Sequence, residues 1–198
     1  MHNRRFKGII FDMDGTLTVP VIDFDLIRRK LGVTDGDIVE VIASWPEAKR
    51  RWAWNLIELY EEEVCNTNQL QPGVEAALHN FQLRGIKLGI ITRNTRKSSD
   101  ILLRRMKVNF DVVLTREYPF IKPAPEPVLH ILEKWQIKPE ECLMIGDYIH
   151  DIMSARAAGA VSCYFKNPDS TSWEKDADYT VQSYCELEAL VFGEENNK

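Results

Sequence analysis

Gly8-Ile9-Ile10-Phe11-Asp12-Met13-Asp14-Gly15-Thr16-Leu17-Thr18 is the stretch from which the rest of the chain is read. Its first four residues are a short apolar run of the kind that fills a buried strand, and the run stops on an acid. Residues two apart on an extended chain project to the same side, so Asp12 and Asp14 leave the strand end together. Gly15 lets the backbone turn sharply and aim amide N–H groups at an anion. An ordinary Asp-Gly turn would use the same residues. A calcium loop would not, because it needs D-x-D-x-D-G spacing and here Gly15 directly follows the second acid.

Working outward, apolar runs recur at 87–91, 111–114 and 141–145, with weaker ones at 162–165 and 179–181. Helical patterns at 73–84, 95–106, 127–135 and 150–158 lie between them, the first ended by Gly85. Continuous apolar strands separated by helices predict an α/β fold, a Rossmann-like parallel sheet core flanked by helices on both faces. The segment 18–72 breaks the alternation with three helical patterns, at 24–31, 35–43 and 47–64. In the third, Trp52, Leu56, Leu59, Tyr60 and Val64 recur at three- and four-residue spacings and so share a face. The predicted organisation is a core of 1–17 and 73–198, with a small inserted all-helical cap at 18–72 hinged at 18–22 and 68–72. The polar tail at 194–198 is predicted to fray.

Sheets of this kind bind ligands beyond the carboxyl ends of their strands, where strand order reverses. Each of four strands here ends on a group that phosphoryl transfer can use. After the second come Thr92-Arg93-Asn94, a hydroxyl and a set of helix-opening amides, which would equally serve as helix caps. After the third comes Lys122-Pro123-Ala124-Pro125-Glu126-Pro127, a lysine on a proline-stiffened loop, or simply a solvated one. After the fourth come Asp147 and, one helical turn on, Asp151, an arrangement also found in helix capping. Bringing Asp12, Asp14, Asp147 and Asp151 into one crevice requires a cation or protonation. Magnesium suits a few carboxylates plus water.

The bulk numbers agree. At 198 residues, 44% hydrophobic and 28% charged, the chain supports one well-buried core with a modest lobe. A net charge of −5 argues against nucleic acid as the main partner but leaves room for a small anion at a local cationic site. No apolar run reaches membrane-span length and the N-terminus has no signal-like apolar region, so the expectation is no membrane partner and a cytoplasmic location. Cys65, Cys142, Cys163 and Cys185 form no CxxC pair, and reduced thiols are expected. Lys49, Arg50 and Arg51 beside Trp45, Trp52 and Trp54 read either as a grip for an anionic or ring-bearing leaving group, or as a solvated basic face over packed aromatics.

With DxDGT at 12–16 and GDxxxD at 146–151 in this order, the chain resembles the haloacid dehalogenase superfamily along nearly its whole length. More narrowly it resembles the phosphatase subgroup with a helical cap after the first motif, which includes phosphoglycolate phosphatases and β-phosphoglucomutases. The resemblance implies a magnesium-dependent phosphatase acting on a small phosphorylated metabolite, as a monomer or homodimer. Asp12 would be nucleophile and metal ligand, and Asp14 general acid and base with its backbone carbonyl on the metal. Asp14, Thr92, Arg93 and Lys122 would contact the phosphoryl group, Lys122 would also balance charge around Asp12, and Asp147 and Asp151 would hold the metal. Tyr148 stands where the family often has Ser or Thr, which bears on fine geometry around the metal, and His150 reads as a surface residue without a catalytic role. A phosphomutase would keep every one of these core residues. A dehalogenase would not need Asp14, and a receiver-like phosphoacceptor module would lack the cap and the Asp-Gly-Thr continuation.

Overall fold

A computed structural model describes residues 6–20, 24–168 and 171–193. The basic lead at 1–5, the 21–22 end of the first hinge and the tail at 194–198 lie outside the described residues. The described elements run β1 (Gly8–Phe11), α1 (Phe24–Leu31), α2 (Ile38–Ala43), α3 (Glu47–Thr67), α4 (Val74–Leu83), β2 (Lys87–Ile91), α5 (Arg96–Met106), β3 (Val112–Leu114) and α6 (Glu126–Trp135). A short 3-10 turn at Pro139–Glu141 leads into β4 (Cys142–Gly146), α7 (Ile149–Ala157), β5 (Val161–Phe165), β6 (Tyr179–Val181) and α8 (Tyr184–Phe192).

The strands form one sheet in the order β3-β2-β1-β4-β5-β6, and every neighbouring pair is parallel. The chain steps outward from β1 to β2 and β3, then crosses back to lay β4 on the other side of β1. Strand order therefore reverses between β1 and β4, and their carboxyl ends open onto the crevice expected at such a switch point. Alternate residues face opposite layers. Ile9 and Phe11 pack with α4, α5 and α8 through Leu78, Phe81, Leu102 and Leu187, whereas Ile10 and Met144 pack with α6 and α7 through Val128, Ile131 and Ala155.

The helices α1 to α3 carry an apolar cluster of their own, Ile27, Leu31, Val33, Ile42, Ala53 and Ile57. The two strands of chain that join them to the core run side by side. Val19 N–H donates to Gln69 O at 2.9 Å, Gln71 N–H to Leu17 O at 3.0 Å, and the Asn68 amide to Val19 O at 2.7 Å.

Two expectations need correcting. The buried line of α3 is Ala53, Ile57, Glu61 and Cys65, one residue on from the predicted stripe, while Trp52 and Leu59 are exposed. The helix packs against α2 on one side and α5 on another, so its buried surface is not the single apolar stripe that periodicity reads. The C-terminal helix α8 was not anticipated. Its signal is Ser183 followed three residues later by Glu186: the Ser183 side chain accepts from Glu186 N–H, and the Glu186 carboxylate accepts from Gln182 N–H. No helix among the described residues is long and apolar enough to cross a membrane.

From α8 the buried Tyr184 hydroxyl donates to Thr16 O at 2.8 Å, tying the last helix to the loop after β1. Tyr184→Phe keeps the ring and strands that carbonyl, so a loss of about 1–3 kcal/mol is expected in urea unfolding.

Candidate active site

Asp12 continues the β1 ladder by one residue, donating its N–H to Ile145 O at 2.9 Å, so β4 fixes its backbone. The chain then curls tightly, with Leu17 and Thr18 N–H groups both returning to Met13 O. Gly15 sits at φ 75°, and a Cβ there would lie 1.9 Å from Asp147 Oδ2. Across the crevice a Cβ on Gly146 would lie 2.1 Å from Asp151 Cγ. The two glycines are the seats on which these carboxylates rest, which gives their positions in the two motifs a steric reason.

Asp12, Asp147 and Asp151 each bring a carboxylate oxygen within 4.8 Å of the others. Lys122 reaches in from the loop after β3, pairing with Asp12 Oδ1 and, at 2.6 Å, with Asp151 Oδ1; its side chain is 4% exposed. Burial, opposed by the Lys122 charge and reinforced by Asp151 and Asp14, pushes the Asp12 carboxyl up to about 7. Burial and the Asp12 and Asp151 charges push Asp147 up to about 8. Lys122 is desolvated too, yet its two acidic neighbours hold it above the usual lysine range. Three acids facing one lysine are thus under-neutralised. Clustered hard oxygen donors of this kind fit a divalent cation.

The Asp14 carboxylate stands beside that group, close enough for its charge to raise both Asp12 and Asp147. It is not one of the three clustered oxygens: its Oδ2 accepts from the Asn94 amide at 2.7 Å. Burial raises its pKa and the Asn94 hydrogen bond lowers it, with burial winning.

Thr92 is buried at the end of β2, its N–H donating to Leu114 O and its hydroxyl accepting from Asn94 N–H at 3.1 Å. Neither Thr92 nor Asn94 caps α5; Thr95 does, accepting from Ser98 N–H. Asp147 likewise does not cap α7, whose first turn is closed by Asp151 accepting from Tyr148 N–H. Arg93 is not on the acidic group. Its guanidinium makes a two-point pair with Asp37 at 2.7 and 3.0 Å and lies 3.0 Å from His150 Nδ1. His150 is therefore half-buried, with its pKa lowered by burial and by Arg93, and not the open surface residue expected. Tyr148 packs edge-on against Trp173 and His150.

In the basic helix segment Trp52 is exposed. Lys49 lies over Trp45, Arg51 pairs with Glu47 in the open, and Trp54 packs under Arg116. Sequence reasoning missed the amides that brace the site. Asn167, after β5, donates to Gly15 O at 2.7 Å and to Asp147 Oδ2 at 3.3 Å, and Gln71 donates to Gly15 O and to Asn167 Oδ1. Nothing local marks them, because their contacts with the Gly15 carbonyl span 56 and 152 residues of chain. The thiols of Cys65, Cys142, Cys163 and Cys185 are free.

With this geometry in place the chain can be compared with known proteins. Residues 18–165 match the family model described as haloacid dehalogenase-like hydrolase. A haloacid dehalogenase-like hydrolase domain-containing protein of Arabidopsis thaliana is 36% identical over 206 residues, covering 94% of this chain and 84% of its own length. A phosphoglycolate phosphatase of Nitrosospira multiformis is 33% identical over 138 residues, covering 67% of this chain and 61% of its own. Among solved structures, a HAD phosphatase from Thermococcus onnurineus superposes with a TM-score of 0.68 at 25% identity, over 96% of this chain and 99% of its own.

The raised carboxyls set a sign for stability. Without metal the folded state holds protons on Asp12 and Asp147 that the unfolded chain, near its ordinary 3.8, has released. Their contribution is complete below that value and is lost as pH rises through about 7 to 8. The melting temperature of chelator-treated protein is expected to fall between pH 5 and pH 8, within roughly the window of those shifts. A divalent cation should restore more of it at the upper end, with measurable proton release on binding.

Proposed function

The chain belongs to the haloacid dehalogenase-like hydrolase family, and we propose that it is a magnesium-dependent phosphatase that hydrolyses a small-molecule phosphomonoester through a phosphoaspartate at Asp12. The observation that carries this reading is the convergence of Asp12, Asp147 and Asp151 around the buried Lys122 at the switch point of the sheet. The phosphatase name of the Nitrosospira relative supports it.

Phosphoryl transfer asks for positioning and charge neutralisation more than for elaborate covalent chemistry. Held by the carboxylates of Asp12, Asp147 and Asp151 and the Asp14 carbonyl, magnesium would offset the repulsion between nucleophile and phosphate. The Asp12 carboxylate oxygen attacks phosphorus, and the bond to the ester oxygen breaks with its electron pair. That oxygen takes the proton carried by Asp14. Water then attacks phosphorus and gives its proton to Asp14. The bond to Asp12 breaks, its carboxylate is regenerated, and inorganic phosphate leaves. Lys122 stays protonated throughout and shields Asp12 from the incoming dianion. The Thr92 hydroxyl and the amides that follow it hold the phosphoryl oxygens.

Residues 18–72 serve in this reading as a cap that closes over the crevice and excludes water. Arg93, engaged by Asp37, belongs to the seam between cap and core rather than to the phosphoryl group.

Asp12→Asn preserves shape and removes the nucleophile. Its turnover of an aryl phosphate is expected to drop by about 10³-fold or more, with the circular dichroism spectrum unchanged. Wild-type turnover by a clean preparation of that variant would refute the assignment. A panel of phosphorylated metabolites with added magnesium, read by phosphate release, separates hydrolysis from isomerisation of sugar phosphates.

A further inference from the structure

Glu61 is a buried carboxylate with no part in the chemistry above. It lies on α3 at a position where Ala53, Ile57 and Cys65 supply apolar packing, and it is 7% exposed. Its partner is Arg116, in the loop after β3, whose guanidinium it engages with both carboxylate oxygens and which also lies 4.8 Å over the Trp54 ring. Glu61 further accepts from Thr95 N–H at 3.4 Å. Buried ion pairs of this kind rarely stabilise a fold more than apolar residues of the same size, so the pair calls for another account.

Arg116 also holds the loop that follows β2. Its Nε donates to Arg93 O at 2.9 Å and its backbone N–H donates to Asn94 O at 2.9 Å. One residue thus grips two consecutive carbonyls of the loop that follows β2. The Asn94 side chain, 4% exposed, donates in turn to Asp14 Oδ2 at 2.7 Å. Three hydrogen-bonded steps therefore connect a residue of the inserted helices to the carboxyl group that protonates the leaving oxygen.

We infer that Glu61, Arg116 and Asn94 form one positioning chain, through which the seating of the inserted helices sets the orientation of Asp14. This rests on Asp14 being the general acid of the proposed phosphatase. Glu61 and Arg116 touch neither substrate nor reacting atoms. They act by fixing the Arg93–Asn94 backbone, and through it the Asn94 amide. With the inserted helices displaced, Arg116 loses its carboxylate partner, the loop loosens, and Asp14 is no longer held for proton delivery.

The test compares two esters with different demands on that proton. An alkyl phosphate must protonate its departing alkoxide, whereas 2,4-dinitrophenyl phosphate expels a stable phenolate without help. The alkyl probe is whichever of 2-phosphoglycolate, glycerol 3-phosphate and glucose 6-phosphate the wild type turns over fastest. For Glu61→Gln, kcat/KM on the alkyl ester is expected to fall by about tenfold or more, as misplacement of a catalytic group does. On the dinitrophenyl ester it should stay within about twofold, since that ester draws nothing from the acid. The apolar pair Glu61→Leu with Arg116→Met, which keeps the volume filled, should show the same selectivity with unfolding close to wild type. Asp14→Asn is the reference and should show it more strongly. Equal loss on both esters, or loss on neither, in Glu61→Gln and the double variant overturns the positioning chain while a selective Asp14→Asn leaves the acid assignment standing. An unselective Asp14→Asn removes the acid assignment, and the positioning chain falls with it.

Discussion

Two buried carboxylates, Asp12 and Asp151, pair with one lysine at the mouth of the β1–β4 crevice with a third acid, Asp147, beside them, and the rest of the structure is arranged around that excess of negative charge. Isolated buried ions are costly, and a pair repays the cost only with good geometry and further hydrogen bonds. The sheet supplies the geometry. Phe11 and Ile145 are register partners on adjacent parallel strands, so Asp12 and Gly146 leave the sheet side by side and Asp147 follows one residue later. Gly15 and Gly146 leave the space that the Asp147 and Asp151 carboxylates fill, which no side chain at either position would allow. What Lys122 leaves uncompensated is met by protons on Asp12 and Asp147 or by a bound cation, and the two alternatives are linked through pH.

A cluster of this kind works only if its loops do not yield to the repulsion within it. The loop after β1 is held from three distant parts of the chain. Gln71 and Asn167 both donate to Gly15 O, and Tyr184 donates to Thr16 O. These are buried amide and hydroxyl contacts, which cost most when one partner is lost, so they fix the loop more firmly than their net stabilisation implies. Gln71 also lies where the chain returns from the inserted helices, so the base of the insertion and the first acidic loop share one hydrogen-bond network.

The parts of the site that were legible in the sequence are those encoded locally. Asp12 and Asp147 follow directly on apolar runs, and strand ends at a switch point converge whatever the rest of the chain does, while Lys122 is marked by the proline-stiffened loop that it opens after β3. Asp14 leaves the strand beside Asp12 as the spacing predicts, but the Asn94 amide that engages it lies 80 residues away and has no local signal. Arg93 follows the same logic: its place beside a strand-end threonine is local, while the residue that engages it, Asp37, lies 56 residues away. The α3 stripe was misplaced by one residue because that helix answers to two packing surfaces and carries a charged residue, Glu61, in its buried line. Periodicity counts apolar residues and passes over a buried acid.

That acid also indicates how the inserted helices meet the core. Their apolar cluster is separate from the two that sandwich the sheet, and the principal side-chain ties across the seam are polar: Asp37 with Arg93, Glu61 with Arg116, and Arg105 with the carbonyls of Cys65 and Asn68. An apolar seam would resist parting in proportion to its area, since all of that surface would return to water. A seam of ion pairs and carbonyl contacts parts at lower cost, because each ion regains hydration, yet it re-forms in one register, because a two-point Arg–carboxylate pair tolerates little displacement. Low cost of parting and a defined closed register are what an element needs if it must admit a substrate and then return to one geometry. The charged seam offers both without an extensive apolar surface that parting would leave exposed.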